Sequence, residues 1–577
     1  MNNSKCIYTI LCLLCVLVLC SSASYASSIL VTVVTNGTGS GSVVSSPVGI
    51  QCPGTCSAAF AGGTPITFTE TRNGAATFVG WSGPCSGTGT TCNITPTANT
   101  TVTATFNGAG ISSISHIVVL AQENRSFDNY FGFLRQYWAN NGYPDQSFDG
   151  LPQFNPTSGA PPLRGPAPAL PGCNPADPPP SDCIWDPNTL VTSFHFKTVC
   201  NENTSPSWNE AHVDWNFGDQ VGKYPAKNNG FVKTAGHDAR TNYPSPFYDV
   251  NGHRAMGYWT GADLNYYYFM ASRFATSDRW FHPEMARTNP NREYLYAATS
   301  HGYAYPNGSD ANDTALLKGP TIFERLQSAG VSWKIYVNPQ GTSCTGPPYS
   351  ASCLMKYSYL HNFTFANTVI STYPQNIAPT SQYFTDLTNG TLPSVAFIEP
   401  ASNAGLDEHG SDTDKVGTNV QKGAKYVSTI INALMKSSSW RHSAFIFTFD
   451  ESGGMYDHVP PMPTVSPDGI KPVDLHPGDV CTKITGPTCD FVYTGYRVPL
   501  IVVSPFAKKN YVSHTGADYT AILRFIEKRF NLAPLTNRDA AQMDMTEFFE
   551  FSTPPWVTPP TPPVQNTGNP CYLDHTP

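Results

Sequence analysis

Five short apolar runs, "HIVVLA", "VSWKIYV", "SVAFIEP", "AFIFTFD" and "VPLIVVSP", recur along the chain after Ser113, with stretches of helical spacing between them. Runs this short and this continuously apolar suit strands buried on both faces, which calls for helices on either side of a parallel sheet. One intervening helix is marked by Val420, Ala424, Val427, Ile431 and Leu434, whose spacing lays a single apolar stripe along one face. Another, "TIFERLQSAG", stops at Gly330, where a residue able to turn left-handed is expected after the last helical turn. The fold expected from 113 to 550 is therefore α/β, a mostly parallel sheet flanked by helices.

The 577 residues exceed what one hydrophobic core usually serves, so more than one domain is expected. From Ser28 to about Gly110 the chain is rich in Gly, Thr, Ser and Val and nearly free of charge, and alternating runs such as "ILVTVVT" and "TTVTATF" lie between glycine turns. That pattern predicts a small all-β module. Proline-rich stretches at 152 to 180 and 553 to 563 read as surface loop and tail, the tail taking 551 to 577. A net charge of −8 gives no general attraction to nucleic acid or to anionic membranes, so a phosphate group must be held by a local site.

The N-terminus reads as an export signal over residues 1 to 26: Lys5, the apolar stretch "IYTILCLLCVLVLC", then small residues with cleavage after Ala26. It is short for a membrane span, and Leu19 before Cys20 fits a lipoprotein signal poorly. The expected location is outside the cytoplasm, with no transmembrane segment once the signal is removed. Four of the 16 cysteines leave with the signal; the other 12 are an even set, which in an exported chain points to disulfides of open connectivity. A zinc site would want C-x-x-C or histidines at ligand spacing, and the sequence offers neither.

Three polar clusters carry the chemistry. "HIVVLA" delivers Glu123 and Asn124 to the carboxyl end of its strand, the edge where open α/β sheets bind ligands. "AFIFTFD" does the same with Asp450 and Glu451, followed by "SGGMYDHV", in which Gly453 and Gly454 allow a tight turn before Asp457 and His458. Taken singly, such a pair is more often a loop turn or a helix cap. Two together make an oxygen-rich set suited to a hard or borderline divalent cation of unassigned identity. The third cluster is "MARTNPNREYLY", where Thr288 offers a hydroxyl and Asn291 and Arg292 suit a phosphoryl group.

The stretches "GTGSGSVVSSPVGIQCPGTCSAAFAGGTPITFTE" and "FVGWSGPCSGTGTTC" resemble the InlB-type B repeat, which implies a β-grasp-like accessory module over 28 to 110 that contacts a cell surface. "HIVVLAQENRSFDNYFG", "RTNPNREYLY", "SVAFIEPASNAGLDEHGSD", "FTFDESGGMYDHVPP" and "YRVPLIVVSPFAKKNYVSH", in this order, resemble the bacterial phosphoesterase family of phospholipases C and AcpA-type acid phosphatases, a branch of the alkaline phosphatase superfamily. The resemblance implies metal ligation by Glu123, Asn124, Asp450 and Glu451, with Thr288 as nucleophile beside the metal. It implies His409 and His458 near the phosphate, and His212 as a further match. The implied substrate is a phosphate ester, a phospholipid among the candidates. The chain departs from the family at Pro206 and Tyr519, where a histidine is usual, and at Asn229, where an acid is usual. Acid phosphatase and a non-catalytic surface binding protein are the competing readings. Retention of Thr288 with both acidic pairs argues against the latter.

Overall fold

The computed structural model describes residues 27–37, 41–72, 76–107, 110–155, 166–174, 185–222, 224–241, 247–306, 316–339, 344–410 and 419–573. The export signal at 1 to 26 lies outside them. The chain divides into two compact units, Met1–Gly108 and Ala109–Pro577.

The first unit is all-β, as its alternating pattern requires. Two four-stranded sheets share a core built by Val31, Val33, Val43, Phe68, Trp81, Val102 and Phe106. Period-two alternation puts Ile29, Val31 and Val33 on the inner face of the Ser28–Asn36 strand while Leu30 and Val34 face outward. Disulfides Cys52–Cys56 and Cys85–Cys92 close short loops on it.

The second unit is built on an eight-stranded sheet. Its strands in chain order are β1 (His116–Gln122), β2 (Ala275–Ser277), β3 (Trp333–Val337), β4 (Ile377–Pro379), β5 (Val395–Ile398), β6 (Ser443–Phe449), β7 (Leu500–Val503) and β8 (Tyr511–Ser513). They lie side by side as β4-β3-β5-β1-β6-β7-β2-β8, parallel except for β7, which runs against both its neighbours. All five apolar runs of the sequence are strands of this sheet. Each Val, Ile or Phe sealed inside contributes about 1.5–3 kcal/mol, and Ile117, Val118, Leu120, Phe445, Ile446 and Phe447 are all fully buried.

The Val420–Lys436 helix buries Val420, Ala424, Val427, Ile431 and Leu434 as its stripe requires, and Asn419 caps it by accepting from the Gln421 and Lys422 N–H groups at 2.9 and 3.1 Å. The Ile322–Ser328 helix begins with a Thr321–Glu324 capping box, and left-handed Gly330 follows its end. The C-terminal stretch, read from sequence as a tail, runs along the unit instead. Cys571 is bonded to Cys200, the Gln565 side chain donates to the Asp263 carbonyl at 2.9 Å, and Trp556 is buried against Phe274. Proline content signals an absence of regular structure, and these three residues supply the docking it does not reveal. Disulfides Cys344–Cys353 and Cys481–Cys489 each tie a loop to a short helical turn, and among the described residues no helix is long and apolar enough to cross a membrane.

Candidate active site

Strands β1 and β6 are adjacent and parallel, in a register that pairs Gln122 with Phe449. The next residues on each strand are therefore neighbours at the sheet's carboxyl edge, Glu123 and Asn124 beside Asp450 and Glu451. The Asp450 N–H donates to the Gln122 carbonyl at 3.0 Å, which carries the ladder one rung further. Asp450 then turns one carboxylate oxygen back to accept from the N–H groups of Asn124 at 3.1 Å and Glu451 at 2.8 Å. Asn124 is left-handed, at φ 64°. Gly453, also left-handed at φ 68°, donates to a Glu451 oxygen and lies so close that a Cβ there would run into the Asn124 carbonyl.

One cation sits under this rim. The buried Arg292 guanidinium reaches Asp450 at 3.3 Å, Glu123 at 3.4 Å, and the carbonyls of Ala121 and Gln122 at 3.0 and 3.2 Å. It lies over the Tyr359 ring at 4.8 Å, and the Tyr359 hydroxyl donates to Glu123 at 2.5 Å. Burial, then the charge of Asp450, pushes Glu123 up to about 7. Burial and Asp450 also hold Glu451 well above the usual carboxylate range. Burial raises Asp450 against the opposing pull of Arg292. The Asn124 Oδ1 and Glu451 Oε1 atoms are buried without a hydrogen-bond partner. Three crowded carboxylates against one guanidinium, with Asn124 Oδ1 and Glu451 Oε1 unsatisfied, leave a hard-donor oxygen set that fits a divalent cation.

The Thr288–Ala297 helix brings the hydroxyl. Thr288 is its first residue, half-buried behind exposed Arg287, whose charge is felt by Glu451. Thr288 precedes Arg292 by one helical turn and so shares a helix face with that rim-bound side chain. Asn291 and Arg292, expected at the substrate, spend their donors elsewhere. The Asn291 amide accepts from the Glu284 N–H at 3.2 Å and donates to the Ala286 carbonyl at 2.7 Å, bracing the turn before Thr288. Arg292 is committed to the rim.

The histidines part company. His409, in the loop after β5, donates from Nδ1 to the Gly410 carbonyl at 2.7 Å, and its charge reaches Glu123. His212 is sealed in the Trp208–Trp215 helix, where it donates to the Trp208 carbonyl at 2.7 Å and burial pushes it down to about 4. Its Nε2 lies 3.4 Å from the Thr488 carbonyl, and its ring packs against Trp208. His458 sits in a different network, its Nδ1 2.7 Å from Asp128 and its Nε2 3.2 Å from Asp149. Burial works to lower it, but Asp128 and Asp149 hold its imidazolium up to about 9. Ligand atoms of Asp128, Asp457 and His458 fall within 4.8 Å of one another, close enough to share an ion. The Arg497 guanidinium is already among them, 2.6 Å from Asp457 and 3.3 Å from Asp128.

Sequence reasoning missed Tyr359, Glu408 and the role of Tyr519. Glu408, buried and left-handed at φ 72°, accepts from the Tyr130 and Tyr267 hydroxyls, each at 2.5 Å, and so anchors the loop that carries His409. Tyr519 stands where the family often has histidine. Its hydroxyl lies 2.6 Å from the Asn291 carbonyl and 3.0 Å from that of Asp450, tying the helix to the rim. The departure from the family pattern was a signal for it.

An oxygen-rich rim at two parallel strand ends, tied through Arg292 to a helix whose first residue bears a hydroxyl, suits a phosphoric ester hydrolase of the α/β class. The chain belongs to the phosphoesterase family, which matches residues 114–533. Phospholipase C B of Mycobacterium tuberculosis is 29% identical over 479 residues, covering 77% of this chain and 79% of that protein. The non-hemolytic phospholipase C of Burkholderia pseudomallei is 28% identical over 80% of this chain and 63% of its own length. Non-specific phospholipase C3 of Arabidopsis thaliana is 28% identical over 76% and 73%.

Proposed function

We propose that the protein is an exported, metal-dependent phosphodiesterase of the phospholipase C type, acting through a phosphothreonine at Thr288. The observation that carries this reading is the convergence of Glu123–Asn124 and Asp450–Glu451 at paired strand ends beside the Thr288 helix. The names of the relatives favour a phosphodiester over a monoester. The disulfides suit an oxidising compartment.

Glu123, Asn124, Asp450 and Glu451, with Thr288, would hold a divalent cation. When bound it supplies Lewis acidity at the phosphoryl oxygens and lowers the pKa of a neighbouring hydroxyl. The positive end of the Thr288–Ala297 helix dipole favours the anionic phosphate. The Thr288 oxygen attacks phosphorus in line with the departing alcohol oxygen, the new P–O bond forming as the old one breaks. The alcohol takes a proton from His409, the histidine in electrostatic reach of the rim. His409 then accepts a proton from the water that cleaves phosphothreonine, restoring Thr288 and releasing the phosphomonoester.

Purified protein is assayed on p-nitrophenyl phosphorylcholine and p-nitrophenyl phosphate, with and without chelator. Preference for the diester, loss of turnover with chelator, and a phosphoryl adduct on the Thr288 peptide after rapid quench support the reading. Thr288→Ala should lower turnover by roughly 10³-fold or more with the fold intact. Faster hydrolysis of the monoester would make the enzyme a phosphatase, and near-normal turnover of Thr288→Ala would remove the phosphothreonine.

A further inference from the structure

Beside Tyr359 lie two cavities with Lys356 and His361 in both linings. The first, about 220 Å³, is lined by Asn338, Lys356, Ser358, Tyr359, Ser402 and Asn403 among others, with no carboxylate in its wall. The second, about 480 Å³, is largely apolar, lined by Leu316, Met355, Ala366 and Ile370 together with Ser352 and Asn367. Tyr359 joins the first cavity to the rim, because the same side chain that lines it donates to Glu123.

Outward from the phosphoryl site the order is therefore a rim, a polar cavity and an apolar groove. A wall with an ammonium, amides and hydroxyls offers donors to neutral or anionic acceptors, whereas a cationic head group would find the Tyr357 and Tyr359 rings but an ammonium in place of a carboxylate. A substituent that is first rich in acceptor oxygens and then wholly apolar matches this order. The glycerol and ester region of a diacylglycerol, followed by an acyl chain, is such a substituent. Cavities of this size and lining are the usual scale for burying one flexible ligand arm. We infer that the polar cavity beside Tyr359 and the groove beyond Lys356 form the binding track for the diacylglycerol arm of a glycerophospholipid, with Lys356 at the ester carbonyls and Leu316, Met355, Ala366 and Ile370 around an acyl chain. This rests on the phosphodiesterase reading and adds to it the lipid-binding residues and the direction in which the lipid lies.

The test uses the full chain and two substrates. p-Nitrophenyl phosphorylcholine has no acyl chain, and dihexanoylphosphatidylcholine has two. Ile370→Asp places a charge in the groove, Asn367→Trp fills it from an exposed position, and Lys356→Glu reverses the charge at the junction. Each should raise KM for the diacyl substrate by about 10-fold or more and leave kcat/KM for p-nitrophenyl phosphorylcholine within about twofold. Lys356→Arg should restore most of the diacyl activity lost in Lys356→Glu. Equal effects on both substrates, or none on either, overturn the track. So does a KM that follows the head group and ignores the chains when phosphatidylglycerol replaces phosphatidylcholine, which would give the polar cavity to the head group. If the unaltered protein hydrolyses neither diester, the phosphodiesterase reading itself fails, and that outcome is distinct from the others.

Discussion

Two acidic clusters lie at the carboxyl edge of the same sheet, and they are balanced differently. Around Arg497, three carboxylates, Asp128, Asp149 and Asp457, meet two guanidiniums, Arg497 and Arg279, the latter 2.8 Å from Asp149, and a histidine, His458, whose charged form Asp128 and Asp149 favour. Around Arg292, three carboxylates, Glu123, Asp450 and Glu451, meet one guanidinium and leave two buried oxygens unsatisfied. Proximity of ligand atoms would single out Asp128, Asp457 and His458 as the place for an ion. On charge balance we propose the other cluster, where Glu123 and Glu451 are pushed toward their neutral forms and a divalent cation would reverse that push.

The comparison breaks most sharply on activity. Glu123→Ala and Asp450→Ala should each lower turnover by about 10³-fold and reduce bound divalent metal, while the double variant is scarcely worse than either, because the residues act as one unit. Metal analysis of the purified variants checks this. Full occupancy in both single variants would hand the ion to the Asp128 cluster.

Stability should sort the clusters the other way. Arg497→Met strips the cation from buried Asp457 and Asp128 and should destabilise the second unit by about 3–5 kcal/mol. Glu123→Ala, which relieves a crowded site, should leave the metal-free protein as stable as before or more so. Denaturant titration in chelator compares the two, and equal losses would erase the distinction.

A pH series sharpens it further. The pKa of His458 is raised from 6.5 to about 9 in the fold, so its contribution is complete below 6.5 and is lost as pH rises through 9, on the order of 3 kcal/mol in all. His212 has the opposite sign. It is lowered to about 4, so the unfolded chain binds the proton more readily, and stability falls as pH drops from 6.5 toward 4. A His458→Gln variant whose alkaline stability still falls as steeply would remove the imidazolium from the balance.

The smallest effect concerns the first unit. Every residue of both clusters lies in the second, so a chain beginning near Gly110 should hydrolyse p-nitrophenyl phosphorylcholine within about twofold of the full rate. A folded but inactive chain would make residues 28 to 110 part of the active site.

Much of this was legible before any coordinates. The apolar runs gave the strands because a strand buried on both faces has little freedom in composition, and their polar ends gave Glu123, Asn124, Asp450 and Glu451 because the sheet edge is where such residues emerge. What could not be read was compensation. Asp457 and Arg497 pair at 2.6 Å from different loops, and nothing local to either announces the other. His212 matched a motif, yet whether a helical histidine faces a cleft or a tryptophan depends on what the rest of the chain packs against it. Arg292 was expected at the phosphoryl group from its motif, but its direction is set by carboxylates that follow β1 and β6.

Gly453 meets no substrate in any of these proposals. It nonetheless touches the Asn124 carbonyl on one side and the Glu451 carboxylate on the other, with backbone angles that side chains resist. The turn acts as a gauge block, fixing the gap between the two strand ends by excluding every residue with a Cβ. An oxygen donor at the rim can be exchanged for another of similar reach, whereas a side chain at position 453 would have to displace the Asn124 backbone itself.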